Sequence, residues 1–137
     1  VELLTPDSGD AKSYSLADAV AAGNMNRSME LFRELINDPE NTPVYLLYVL
    51  TGSMNDLYRA RLALDYNHGL PEIMKDFGYS PSVEFRVKNA LSSVRRTDIR
   101  HLRKCLEILA KADIDMKSSG ADPAVILEKA IVEMLAR

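Results

Sequence analysis

The sequence predicts an all-α fold, a single compact bundle of about seven helices. Three observations predict it. Apolar residues recur at steps of three and four along most of the chain. Alternation of period two, the mark of a half-buried strand, is nearly absent. Proline follows a capping residue at Thr42-Pro43, Ser80-Pro81 and Asp122-Pro123. There the cap accepts from the first orphan N–H groups, and proline occupies the first helical position, where its missing N–H is not needed.

The elements follow in order. Val1 to Leu4 reads as the tail of an upstream helix, and Pro6 to Asp10 as a polar linker. The first helix is expected from Ser15, as cap, to Ala22, with Gly23 ending it in a left-handed conformation. A second spans Asn26 to Asn37 and buries Met29, Phe32, Leu35 and Ile36, stopped by Pro39. The third is long, Pro43 to Tyr66, with Leu46, Leu47, Leu50, Met54, Leu57, Arg61 and Leu64 near one face. A short fourth helix, Pro71 to Phe77, closes at Gly78. Ser80-Pro81 opens a fifth, to about Val94, and Thr97-Asp98 a sixth, to about Ser118.

In the sixth helix Ile99, Leu102, Leu106, Leu109, Asp113 and Met116 form a seam, widened by Cys105, Ile108 and Ala112. A face that wide predicts contact on two sides. Gly120 breaks it, and Asp122-Pro123 opens the last helix, with Ile126, Leu127, Ala130, Ile131 and Met134 inward. The 137 residues fit one domain, expected over residues 15–137, with residues 1–14 as the end of an upstream helix and its linker. The chain opens with Val1 rather than Met, so a fragment of a longer protein is expected.

Composition narrows the chemistry. The single cysteine, Cys105, rules out a disulfide within the chain and a Cys-rich zinc site, and fits a reducing, cytoplasmic compartment. The longest nearly uncharged apolar runs are too short to span a bilayer, and no membrane partner is expected. The six glycines are isolated, with no GxxxxGK[ST] or GxGxxG to cradle a phosphate. His68 and His101 stand far apart and read as surface histidines, and Cys105 sits in an apolar stripe as core filler. Asp113 and Asp115, two apart on a helix, point to different faces and do not form a catalytic pair. No catalytic residue, metal site or cofactor is therefore expected.

Charge carries the remaining signal. The net charge is −3, yet residues 81–104 hold +5 and the rest −8. Arg86, Lys88, Arg95, Arg96 and Arg100 in this stretch are candidate contacts for DNA phosphates. A solvated face or a partner surface is the plainer account of the same charges. Asp113 and Lys117, four apart, predict a structural ion pair, with Lys117 also a candidate phosphate contact. Residues 71–94 also read as a helix-turn-helix, with Glu84, Arg86, Lys88 and Asn89 near base edges. That pattern sets a DNA-binding regulator as the alternative function.

Four stretches carry a more specific likeness: SLADAVAAGN at 15–24, MELFREL at 29–35, MKDFGYSP at 74–81 followed by FRVK at 85–88, and LAKADIDMK at 109–117 followed by Asp122-Pro123 and Leu127-Glu128. In this order they resemble the C-terminal collar domain of the clamp-loader delta subunit of bacterial DNA polymerase III. The likeness runs from about Ser15 to Leu135 and is most specific in its closing stretch. Tyr14-Ser15 stands where the family usually has a Phe, and only Arg59 and Arg61 match its Arg-rich third helix.

The resemblance implies an assembly module of the replication machinery, joining its counterparts in delta prime and gamma/tau-type subunits in a ring-shaped collar. It implies that the sliding clamp is met by an upstream region absent here. It places the collar around the path of primer-template DNA, and no residue for the holoenzyme's nucleotidyl transfer in this domain.

Overall fold

A computed structural model describes residues 8–136, with side chains for residues 11–95 and 97–136. Among the described residues there are seven α-helices and no strands. They are α1 (Ser8–Ala22), α2 (Met25–Ile36), α3 (Pro43–Asp65), α4 (Leu70–Asp76), α5 (Glu84–Ser93), α6 (Ile99–Ser118) and α7 (Pro123–Leu135). Two 3₁₀ turns, Pro81–Val83 and Val94–Arg96, flank α5.

The predicted caps act as side-chain acceptors. Thr42 Oγ1 accepts from the Tyr45 N–H at 3.1 Å, Asp98 from Arg100 at 3.3 Å and Asp122 from Ala124 at 3.0 Å. Asn24 caps α2 in the same way, accepting from Arg27 at 3.1 Å, so that helix begins one residue before Asn26. At Ser80-Pro81 the cap opens a 3₁₀ turn, and the α-helix proper starts only at Glu84.

Three helices end on a left-handed residue. Gly23 (φ 78°) and Gly78 (φ 68°) follow α1 and α4. Asn67 (φ 61°) follows α3, where His68 N–H reaches back to the Ala63 carbonyl at 2.8 Å.

The first helix differs most from expectation. It begins at Ser8, so Ser15 lies inside it, and Ser8 to Asp10 of the expected linker is helical. The reason is burial: Ser13, Leu16, Ala17 and Val20 share a buried face that runs upstream of Ser15. Val1 to Leu4 and Pro6 lie outside the described residues.

The core sits around α3, which packs against α1, α5, α6 and α7. Leu46, Leu50, Met54 and Ala60 of α3 are fully buried there, with Leu16, Leu31, Leu102, Cys105, Leu127, Ile131 and Met134. In α6 the buried line is Leu102, Cys105, Leu109 and Ala112. It passes through Cys105 and Ala112, expected only to flank the seam, and leaves Leu106 half-buried and Asp113 toward solvent. A smaller cluster of Ala63, Ile73 and Val87 docks α4 and α5 onto α3.

Candidate functional site

The basic stretch divides into side chains held internally and side chains left outward. Arg86, in the first turn of α5, is held. Its Nε and Nη2 donate to the two oxygens of Asp56 at 3.0 and 3.1 Å, and Asp56 is 6% exposed. The Tyr79 hydroxyl also donates to Asp56, at 2.5 Å, and in turn accepts from Arg59 Nη1 at 3.1 Å. Arg59 lies over the rings of Phe77 (5.0 Å) and Tyr79 (5.4 Å).

Burial works against the charge of Arg86, but the hydrogen bonds and charge of Asp56 outweigh it and hold the guanidinium above its ordinary pKa. Burial, with the Asp56 bond, pushes the Tyr79 hydroxyl up as well, so it stays a donor. This network fastens α3 to the turn between α4 and α5.

Lys88 pairs with Glu84 at 3.1 Å, and Lys117 with Asp113 at 3.1 Å, all four side chains well exposed. Such pairs contribute about 0.3–0.5 kcal/mol. Arg95 and Arg100 are exposed and have no acidic partner within ion-pair distance among the described residues. The Arg95 carbonyl, together with that of Val94, accepts from Arg61 Nη1 (3.1 and 3.3 Å), which closes the end of α5 from outside. Hydrogen bonding to the Tyr58 hydroxyl holds Arg103 above its ordinary pKa, and Lys104 Nζ donates to the Ala136 carbonyl at 3.3 Å. The side chain of Arg96 lies outside the described residues.

The structure therefore does not gather the six candidate cations into one cluster. Arg95 and Arg100 flank the start of α6, while Lys117 stands at its far end. For a helix-turn-helix reading, Arg86 is turned inward to Asp56 and Lys88 is occupied by Glu84. The network of Asp56, Tyr79, Arg59 and Arg86 was not foreseen from the sequence. One signal was present: Asp56 is a carboxylate between Met54 and Leu57, on the apolar side of α3, where an unpaired charge is not tolerated.

A second feature lies between α6 and α7. A groove of about 350 Å³ runs over Ile108, Ala112, Val125, Ile126 and Ala130. Its rims carry charge of both signs: Lys111 and Asp115, 3.5 Å apart, on α6, and Lys129 and Glu133 on α7. Val125 on its lining is 57% exposed. Isolated apolar side chains are ordinary on a surface, but several around one groove mark a place of contact.

Among the described residues no group of three or more His, Cys, Asp or Glu is arranged to hold a metal ion. His68 Nδ1 lies 3.9 Å from Asp76, and His101 Nε2 lies 3.7 Å from the buried Cys105 Sγ. No helix among the described residues is long and apolar enough to cross a membrane.

Comparison with known proteins agrees across sequence and fold. Residues 10–134 match the family described as DNA polymerase III delta subunit, C-terminal domain. DNA polymerase III subunit delta of Bacillus subtilis is 23% identical over all 137 residues, which span 38% of that protein. The solved structure of the Bacillus subtilis DNA clamp loader delta protein superposes with a TM-score of 0.83 at 21% identity, covering 100% of this chain and 39% of that one.

Proposed function

The chain belongs to the family formed by the C-terminal domain of the DNA polymerase III delta subunit, and from that premise we propose that it is a non-catalytic assembly domain of a clamp loader. Its work is to hold other loader subunits, of the delta prime and gamma/tau types, in a collar. The observation that carries this is the apolar lining of the α6–α7 groove, Ile108, Ala112, Val125, Ile126 and Ala130, with Val125 exposed. A stable interface buries roughly 800 Å² per partner, and the groove with its flanks offers a centre for one. The mixed charges on its rims suit a partner helix of alternating sign, which fixes register more than it adds affinity.

Contacts with the sliding clamp belong, in this reading, to parts of the whole protein outside this chain. Primer-template DNA passes near the collar, and Arg95 and Arg100 are the cations best placed to meet its phosphates. No step of chemistry is assigned to the chain, and it works with no cofactor, in the bacterial cytoplasm.

The test is co-purification of the intact protein with the remaining loader subunits. Val125→Glu puts a charge on the face without entering the core. The parent protein is expected to co-elute as one complex. The variant is expected to keep its helical circular dichroism and fall out of the complex. Undiminished assembly by the folded variant would remove the α6–α7 face from the mechanism.

A further inference from the structure

The C-terminal ends of α3 and α4 meet over a pocket that lies apart from the α6–α7 groove. Tyr66 follows α3 and Phe77 follows α4, and the two form its walls, 70% and 38% exposed. Its floor is the buried pair Ala63 and Ile73, with Leu62 beside them. Asp76, the last residue of α4, and His68, from the turn before α4, complete the lining.

Three features say what this pocket fits. Size is the first: it holds about 150 Å³, and an apolar cavity of about that volume takes a benzene-sized group. The walls are the second. Two aromatic residues across one pocket favour a third ring, which gains edge-to-face contacts beyond its buried area. Arg59, which does not line the pocket, already lies over the Phe77 ring at 5.0 Å. A cation inside the pocket would meet that like charge, so the group that enters is an uncharged ring.

Asp76 is the third. At the last residue of a helix the partial negative charge of the final carbonyls opposes a carboxylate. Among the described residues its one cationic partner is His68, 3.9 Å away and charged only when protonated. The carboxylate is well exposed at the edge of the pocket, where it gains most from a cation arriving from outside.

We propose that this pocket receives a phenylalanine side chain of a partner protein, from an extended segment that carries an arginine two residues away. That spacing puts both side chains on one side of the segment, so the ring enters the pocket while the arginine pairs with Asp76. Arginine suits the carboxylate better than lysine, because its planar fork can donate to both oxygens. Charge decides against a nucleic acid: a base could stack between Tyr66 and Phe77, but its phosphates would face Asp76. A second copy of this chain cannot supply the ring. Phe32 is 4% exposed, Phe85 packs edge-on against Tyr14, and Phe77 is a wall of the pocket itself.

The test is titration of the intact protein with the capped pentapeptide GFGRG, beside GAGRG, GFGEG and a thymidine decamer, read by backbone amide shifts. Saturable shifts centred on Tyr66, Ile73 and Phe77 are expected with GFGRG, with a midpoint at or below about 1 mM. Losing the ring or reversing the charge of the peptide is expected to weaken binding about tenfold or more, and so is Tyr66→Ala, which removes an exposed wall. Asp76→Lys is expected to invert the order, so that GFGEG binds more tightly than GFGRG. A merely structural Asp76 would not produce that inversion, and lysine suits a helix C-terminus, so the variant keeps its fold. The proposal is overturned if GFGRG at several millimolar leaves these resonances in place, or if either control peptide binds the parent as tightly. It is equally overturned if Asp76→Lys keeps the parent's order of preference, or if the thymidine decamer takes the pocket instead.

Discussion

Asp56 shows how one side chain can decide the local architecture. It is an almost fully buried carboxylate with three donated hydrogen bonds, two from Arg86 and one from Tyr79. Replacing it with alanine strands Arg86 against the core with no counter-charge. For a fully buried pair that costs about 3–5 kcal/mol; the Arg86 side chain is 30% exposed, so about 2–3 kcal/mol is expected. Tyr79→Phe removes only one bond and should cost about 1 kcal/mol. Urea unfolding of both single variants and the double variant measures the coupling, and strict additivity would show that the network does not act as a unit.

Asp18 gives a residue-scale prediction in pH. Partial burial raises its carboxyl above the usual 3.8, with a hydrogen bond from Ser93 working the other way. The folded state therefore binds this proton more readily than the unfolded state. That contribution favours the fold below the unfolded pKa and is lost as pH rises through the folded one. At neutral pH the ionised group is a mild liability, screened by its contact with solvent. Asp18→Asn should raise stability near pH 7 by about 0.5 kcal/mol or less, and the gain should vanish near pH 3. Thermal melts at the two pH values check the sign.

At the scale of elements, glycine in this chain has opposite meanings that can be separated by measurement. Gly78 turns left-handed after α4, so Gly78→Ala should cost about 1 kcal/mol or more. Gly52 has no such duty, so Gly52→Ala should add up to about 1 kcal/mol to stability. Thr42→Ala, which removes the cap of α3, should cost about 1 kcal/mol. Chemical denaturation midpoints order the three, and a loss of stability in Gly52→Ala would show that the glycine has a structural duty after all.

The same local chemistry explains what was legible in the sequence. Caps and prolines announce themselves because they act on their own turn, so the starts of α3, α6 and α7 could be read directly. The start of α1 was not read, because the buried face of Ser13, Leu16, Ala17 and Val20 runs upstream of Ser15, and such burial is a property of the packed molecule. Nor could the centre of the α6 face, since heptad-like spacing admits both Leu106 and Cys105, and only packing against α3 and α7 chooses. The Asp56–Arg86 pair joins residues thirty apart, and no periodicity reports such a bond.

At the scale of the whole molecule, the charge asymmetry becomes specific once its partners are known. The stretch 81–104 carries +5, but Arg86 and Lys88 are balanced by Asp56 and Glu84. Among the described side chains, Arg95, Arg100, Arg103 and Lys104 of this stretch have no carboxylate within ion-pair distance, and Arg95 and Arg100 flank the start of α6. If the assembled loader meets primer-template DNA there, each arginine that touches a phosphate releases about one counterion. Arg95→Ala combined with Arg100→Ala should then weaken binding of the complex to any sequence alike. It should also flatten the slope of log affinity against log salt by about two. Lys88→Ala and Lys117→Ala, whose ammonium groups face acidic neighbours on their own helices, should leave that slope nearly unchanged. A salt titration of the complex with each variant separates the pairs. A slope indifferent to Arg95 and Arg100 would mean that the positive stretch serves protein contacts or solvation instead.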